Sequence, residues 1–385
     1  MDLELSEEQT AVRRLAAEFI DREVVPHVTA WDRAEAMDPA LVPRLGELGF
    51  LGMTIGEEYG GSGGDHLTYC LVMEELGRGD SAVRGVVSVS LGLVGTTIAR
   101  YGDDAQKRQW LPRLTSGQDL GCFALTEPDV GSDAAHLTTR AVRDGDDWLL
   151  TGTKRFITNG TLASVALVFA RTDPDEPGHR GITAFLVPTD AEGFGRKEID
   201  GKLGLRAQAT AEFHLDAVRV PDSARLGALG KGFSIAMAAL AKGRMSVAAG
   251  CVGIAQGCLD AAVGYAKDRV QFGKPIAAHQ LVQELLSGIA VNVDAARLLV
   301  WRVADHIDRG LDYAAASSMA KLFASEAAVA AAGDALQVFG GYGYVDEYPV
   351  GKYLRDARVM TLYEGTSQIQ KLLIGRALTG INAFA

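Results

Sequence analysis

Residues 137–158 read LTTRAVRDGDDWLLTGTKRFIT. This stretch decides the fold because it interrupts a helical texture that runs on both sides of it. Two runs rich in β-branched and aromatic residues are joined across Asp144 and Gly145, a hairpin signal. Three more β-rich runs follow, SVALVFART at 164–172, GITAFLVPT at 181–189 and ATAEFHLDAVRVP at 209–221. Together they predict an antiparallel sheet or barrel of roughly one hundred residues, a common domain size.

Upstream, the chain reads helical. Ser6 and Gln9 have capping-box spacing, and Val12, Leu15, Ala16, Phe19 and Ile20 repeat at helical intervals. GEEYGGSGGD at 56–65 punctuates the pattern; YCLVMEELGR at 69–78 and DDAQKRQWLPRLTSG at 103–117 resume it, the latter ending near Gly117. Downstream of about residue 230, alanine-rich amphipathic segments such as AKGRMSVAAGCVGIAQGCLDAAVGYAKDR (241–269) predict a helical bundle. The expectation is an α+β multidomain chain: helices over 1–118, β structure over 119–228 and a helical bundle over 229–385.

Composition narrows the function classes. The 385 residues are 48% hydrophobic and 23% charged, ordinary for a globular protein. A net charge of −11 argues against a nucleic-acid surface or a polybasic membrane surface. No apolar run reads as long enough to span a bilayer. The first residues, MDLELSEEQ, carry acids where a targeting peptide carries bases, so a cytoplasmic protein is expected. Cys70, Cys122, Cys251 and Cys258 lack metal-site spacing, which predicts buried thiols and no metal.

Five stretches carry candidate chemistry. CFALTEPDVGSDA (122–134) is held out of regular structure by glycine and proline, and offers Thr126, Ser132 and backbone N–H groups to a ligand. GTKRFITNG (152–160) places Phe156 and Thr158 at a strand end, where a flat ring can stack and accept a hydrogen bond. KDRVQFGKPI (267–276) puts Arg269 at a helix end before Gly273 and Pro275, suited to the helix dipole or to a phosphate. QVFGGYGYVDEYP (337–349) lets the backbone approach something bulky at Gly340 and Gly341, without the spacing of a dinucleotide fingerprint. LYEGTSQIQ (362–370) sets Glu364 and Gly365 before a helix that Thr366 can cap, with Ile369, Leu372 and Leu373 on its apolar face. Each alone also reads as a plain loop, strand end or solvated acid.

Jointly and in this order, the stretches resemble the motifs of the acyl-CoA dehydrogenase family over nearly the whole chain. EEYGGSGGDHLTYCLVMEELGRGDSA, QKRQWLPRLTSG and DRVQFGKPIAAHQ add to the match. The resemblance implies an N-terminal helical domain, a middle antiparallel β-barrel and a C-terminal four-helix bundle. It also implies bound FAD, a homotetramer built as a dimer of dimers, an acyl-CoA or acyl-carrier-protein substrate, and electron transfer to an electron-transfer flavoprotein. Residue by residue, Phe123, Ala124, Leu125, Thr126, Gly131 and Ser132 resemble the loop that cradles the flavin, with Ser132 meeting the pantetheine arm. Phe156, Ile157 and Thr158 match the segment on the other side of the flavin. Arg269, Phe272 and Gln280 match FAD contacts from a neighbouring subunit, Gln337, Val338, Gly340 and Gly341 pyrophosphate contacts, and Thr366 and Gln368 contacts on the ADP side.

Glu364 matches the family's catalytic base, flanked by substrate-contacting Tyr363 and Gly365. The resemblance implies that Glu364 removes the proton next to the thioester carbonyl while hydride leaves the adjacent carbon, giving a trans-2-enoyl product. Its own N–H, with a ribityl hydroxyl of FAD, would bind the thioester oxygen. Apolar surroundings are expected to raise its pKa when substrate enters. The family's other base position falls on Gly243, which cannot act. Arg244 matches a substrate contact, while Ala241 stands where related members carry an acid, so Lys242 becomes a candidate for the carrier arm. SVSLGLVGTTIARYG (88–102) is a candidate wall of the acyl pocket. Rival readings are an oxygen-using flavin oxidase or monooxygenase on the same fold, against which Glu364 and the chain length weigh, and a non-catalytic carrier-binding scaffold, against which the intact base and flavin loops weigh.

Overall fold

The computed structural model describes residues 4–176 and 178–384. The outer limits of the expected domains, at residues 1 and 385, and the first three residues of the acidic N-terminus lie outside the described residues. The first helical region comprises Glu7–Phe19 (α1), Val28–Ala34 (α2), Leu41–Glu47 (α3), His66–Gly79 (α4), Ser81–Val87 (α5), Thr96–Tyr101 (α6) and Asp104–Thr115 (α7). The capping box is present at Ser6 and Gln9. Between α5 and α6 the chain stays helical but widens into π-helical turns at Ser88–Gly95, buried throughout. Such wide turns recur at functional sites.

Among the described residues the β region holds eight strands: Gly121–Ala124 (β1), Arg140–Asp144 (β2), Asp147–Thr158 (β3), Val165–Arg171 (β4), Ile182–Pro188 (β5), Phe194–Glu198 (β6), Thr210–Pro221 (β7) and Arg225–Leu226 (β8). They run β6-β7-β3-β2-β4-β5-β8, with β1 also on β4. Most neighbours are antiparallel, as expected, but β1–β4 and β2–β4 are parallel. The stretch expected to lie wholly outside regular structure therefore begins in a strand. The β2–β3 hairpin pairs Asp144 with Asp147, so its loop is Gly145-Asp146, one residue beyond the expected junction. Gly145 takes φ 64°, which glycine adopts without steric cost.

Three long helices follow, Gly232–Asp268 (α8), Gln280–Asp308 (α9) and Ala314–Phe339 (α10), then the shorter Val350–Met360 (α11) and Ser367–Thr379 (α12). Helix α8 packs against α4, α9 and α10 and so joins the two helical regions. Its glycines permit this. A Cβ on Gly253 would lie 2.0 Å from the carbonyl oxygen of Glu74, and one on Gly77 would lie 2.4 Å from that of Gly250. The stretches Ser81–Tyr101, Gly232–Asp268 and Ala314–Tyr344 are in fact long and apolar enough to cross a membrane, contrary to the sequence expectation. Burial inside the protein accounts for that character: 83%, 67% and 50% of their most apolar windows are buried. All four cysteines are free and buried.

Candidate active site

A cavity of about 200 Å³ opens where the three regions meet. Its walls come from α5 and the π-helical turns, the loop after β1, the end of β3, the first half of α8, and the loop between α11 and α12. That last loop carries Glu364.

The Glu364 loop is strained and held. Glu364 takes φ 53° and Gly365 φ 93°. A non-glycine residue in this region costs of order 1–3 kcal/mol and persists only where its surroundings fix it. Here they do. The Glu364 carbonyl accepts from Arg244 Nε at 3.3 Å and Gln370 Nε2 at 3.2 Å; the Gly365 carbonyl accepts from Lys321 Nζ and Gln370 Nε2, both at 2.9 Å. Thr366 caps α12 as expected, its hydroxyl accepting from the Ile369 N–H at 3.3 Å. Turning both carbonyls inward leaves the Glu364 N–H without an acceptor among the described residues.

The carboxyl itself is poised. Its Oε2 is shielded from solvent and has no hydrogen-bond partner. Burial pushes its pKa up to about 7, against the opposing pull of Arg84, Arg244 and Lys321. The shift exists without substrate, earlier than expected. Gly243 faces this carboxyl: a Cβ there would lie 2.3 Å from Oε2. The glycine that cannot serve as a base is thus also the space the base occupies.

Opposite, Phe123, Leu125, Thr126, Gly131 and Ser132 line the cavity, as do Phe156, Thr158, Arg244, Tyr363 and Gly365. A register shift in β3 between Lys154 and Ile157 turns Phe156 outward, at φ 61° and 60% exposure. Ala124 and Ile157 point into the core instead. The hydroxyls of Thr126, Ser132 and Thr158 make no hydrogen bond among the described residues, leaving three donors on an otherwise apolar wall. An exposed aromatic ring, unpaired hydroxyls and a side-chain-free Gly131 fit a flat ring with polar edges, such as that of FAD.

Behind this wall is a clamp the sequence reading missed. Lys154 is fully buried, and its Nζ donates to Glu127 Oε1 at 2.8 Å and to the Leu125 carbonyl at 3.0 Å. Glu127 also accepts from the Thr138 N–H at 2.6 Å, the Thr138 hydroxyl at 2.7 Å and the Thr139 N–H at 2.9 Å. The Arg155 N–H donates to the Thr126 carbonyl at 2.9 Å. The loop is pinned at both ends.

Other expected residues stand apart from the cavity. Arg269 caps α8 with its guanidinium 5.4 Å from the Tyr342 ring centroid. Phe272 is 93% exposed, and Gln280 begins α9. Gln337 and Val338 lie at the end of α10 before Gly340 and Gly341, while Thr366 caps α12 and Gln368 lies in its first turn. Lys242 does not face this cavity; it lines another with Thr54, Arg100 and Tyr313. Ala241 is buried and is not part of the wall. The sequence reading also missed Arg84, Gly85, Gln208, Met237 and Leu240, which complete it.

Comparison with known proteins accounts for nearly the whole chain. The N-terminal, middle and C-terminal domain models of acyl-CoA dehydrogenase match residues 6–118, 122–218 and 230–379. The rat mitochondrial short-chain specific acyl-CoA dehydrogenase is 42% identical over 97% of this chain and 90% of its own length. Butyryl-CoA dehydrogenase from Megasphaera elsdenii is 40% identical with a TM-score of 0.96, covering 98% of this chain and 100% of that one. A chain solved in work on the electron transferring flavoprotein of Acidaminococcus fermentans is 41% identical, TM-score 0.97, with the same coverage. A glutaryl-CoA dehydrogenase from Mycobacterium smegmatis, solved in complex with FADH2, is 39% identical with a TM-score of 0.95 over 99% of this chain and 97% of that one. The chain belongs to the acyl-CoA dehydrogenase family, flavoprotein oxidoreductases that act on CH–CH bonds.

Proposed function

We propose that this acyl-CoA dehydrogenase family member desaturates a short acyl thioester between Cα and Cβ, with Glu364 as the base that takes the α-proton. The observation that carries this reading is the unpartnered, shielded Oε2 of Glu364 beside a backbone N–H that also lacks an acceptor. A carboxyl poised near neutrality both accepts a proton and releases it. The Glu364 N–H can donate to the thioester carbonyl and stabilise negative charge developing there. Arg244 and Lys321 fix the backbone that aims both groups. Gly243 keeps the space around the carboxyl open.

Phe123, Leu125, Thr126, Gly131, Phe156 and Thr158 are the residues that would hold the ring of FAD, and Ser132 would meet the pantetheine arm. Held there, the flavin would supply the acceptor for a hydride leaving the substrate's Cβ. We further read Arg269, Phe272, Gln280, Gln337, Val338, Gly340 and Gly341 as contacts to the FAD of a second copy, in a tetramer. Their position outside the Glu364 cavity and the exposure of Phe272 support that reading. The physiological acceptor we assign is an electron-transfer flavoprotein, in the cytoplasm. The test is anaerobic bleaching of the purified protein by a series of straight-chain acyl-CoA thioesters. A yellow protein bleached by short chains, with negligible oxygen uptake in air, is expected. A colourless protein, or turnover that consumes oxygen stoichiometrically, would overturn the reading.

A further inference from the structure

The cavity contains one group that the reaction above does not use. Arg84, on α5, is 2% exposed and lines the same cavity as Glu364. Its Nη2 donates to the Tyr363 hydroxyl at 2.7 Å, and that hydroxyl in turn donates to Met360 Sδ at 2.6 Å. Its Nε and Nη1 are buried with no partner. Among the described residues no carboxylate forms an ion pair with it. A guanidinium does not shed its proton in a protein, so this is a permanent charge in an acyl cavity. A buried charge without a hydrogen-bonded counter-ion is unfavourable unless something completes it.

The fold builds a seat for this side chain. A Cβ on Gly250 would lie 2.2 Å from Arg84 Cδ, so only glycine at that point of α8 lets the arginine pass. Seven residues earlier on the same helix, Gly243 makes the same allowance for the Glu364 carboxyl. Two turns of helix separate the two seats, about 10 Å. From its seat the guanidinium reaches Tyr363, the chain neighbour of Glu364. Both groups line one cavity of about 200 Å³, so only a short acyl chain fits between them. Ser88, one turn beyond Arg84, adds a hydroxyl to the same wall, and Val89 and Leu93 supply its apolar part.

We propose that Arg84 receives a carboxylate at the far end of the acyl group, so that the preferred substrate is the monothioester of a short dicarboxylic acid. A hydrocarbon tail would leave the guanidinium dehydrated and unpaired. A carboxylate meets its open N–H groups with the planar geometry that arginine favours. The inference rests on the dehydrogenase reading and narrows its substrate class.

The test compares glutaryl-CoA with pentanoyl-CoA, equal in length and different in the terminal group, on the flavin-loaded enzyme and on Arg84→Met and Arg84→Lys. The readout is the ratio of kcat/KM values for flavin reduction, because Arg84 also acts on Glu364 and absolute rates will move in either case. The wild type favours glutaryl-CoA, and Arg84→Met lowers the ratio by about 10- to 100-fold, as expected for a hydrogen bond to a charged group. Arg84→Lys keeps part of the preference, and it serves as the comparison should the methionine variant fail to fold. A wild type that prefers pentanoyl-CoA, or a ratio unmoved by the substitutions, overturns the proposal. Calorimetric titration with both thioesters separates the two readings. If neither bleaches the flavin, the dehydrogenase reading fails. Tighter binding of glutaryl-CoA that Arg84→Met abolishes still upholds the arginine's role, and equal binding of the two removes it.

Discussion

Two shielded glutamates, one lining the cavity and one behind the wall that faces it, have opposite fates. For Glu127, burial raises the pKa, but the charge of Lys154 and the hydrogen bonds from Lys154, Thr139 and Thr138 outweigh it and push the value down to about 2. For Glu364, burial again raises it, and the nearby charges of Arg84, Arg244 and Lys321 do not prevail; the value is pushed up to about 7. Three cations surround Glu364 and one meets Glu127, so the count of charges does not decide the outcome. Donors within hydrogen-bond reach decide it. Glu127 has four, and Glu364 Oε2 has none. The cations around Glu364 spend their hydrogen bonds on its backbone, or on Tyr363, and leave the carboxyl free. One acid is fixed to build a loop, and the other is kept available for a proton.

The largest effect expected from breaking this contrast is on rate. Glu364→Gln keeps the volume and the backbone N–H but removes the group that takes a proton. Flavin reduction by acyl-CoA should fall by about 10²- to 10⁴-fold, the usual loss of a general base, while flavin content stays near one per chain. In the parent protein kcat/KM should rise with pH through about 7, as the carboxyl ionises. That rise should be missing from the residual activity of the variant. A variant that bleaches at the parent rate would place the base elsewhere.

A smaller but still large effect is expected at the other acid. Lys154→Met leaves Glu127 buried without its cation and the Leu125 carbonyl without its donor. Removing one partner of a buried pair costs about 3–5 kcal/mol. Urea midpoints should drop accordingly, and flavin should wash out more readily because the loop from Leu125 to Thr139 loses its anchor. Adding Glu127→Gln should restore part of the loss. A midpoint equal to that of the parent would show that the pair is not what holds the loop.

The contrast also shows what was legible in the sequence. The α–β–α order, the hairpin, the cap at Thr366 and the stretch around Glu364 follow from local signals: turn residues, helical spacing, a glycine beside an acid. The Glu127–Lys154 pair does not, because its members are far apart in the chain and lysine in a strand usually faces solvent. The shift in β3 that exposes Phe156 left no mark either, since a bulge depends on its partner strand. Lys242 was expected at the carrier arm because it stands beside Ala241, where related members carry an acid; helical geometry turns it to another cavity. Arg84 had a signal that went unread. It is the only charged residue between Asp80 and Arg100, in a run otherwise apolar or small. Its burial depends on Gly250, a residue distant in sequence, and only the packing of α5 on α8 brings the two together.

The smallest expected effect concerns stability, and its sign separates the two acids. Glu364 ionises near 4.5 when the chain is unfolded and near 7 when folded. Between those values the folded state binds more protons than the unfolded one, so this residue makes stability fall as pH rises from 4.5 to about 7, after which its contribution is flat. Glu127 acts the other way. Its folded value is depressed to about 2, so its stabilisation is present above 4.5 and is lost as pH falls toward 2. Glu364→Gln should therefore match the parent near pH 4.5 and become the more stable protein as pH passes 7. At about 1.4 kcal/mol per pKa unit, the gain is at most about 3 kcal/mol. Thermal midpoints of both flavin-loaded proteins across this range give the difference directly. Parallel curves would mean that the Glu364 carboxyl ionises as freely folded as unfolded. The cations around it would then neutralise it as effectively as the donors neutralise Glu127, and the distinction between a held acid and a poised one would lose its physical basis.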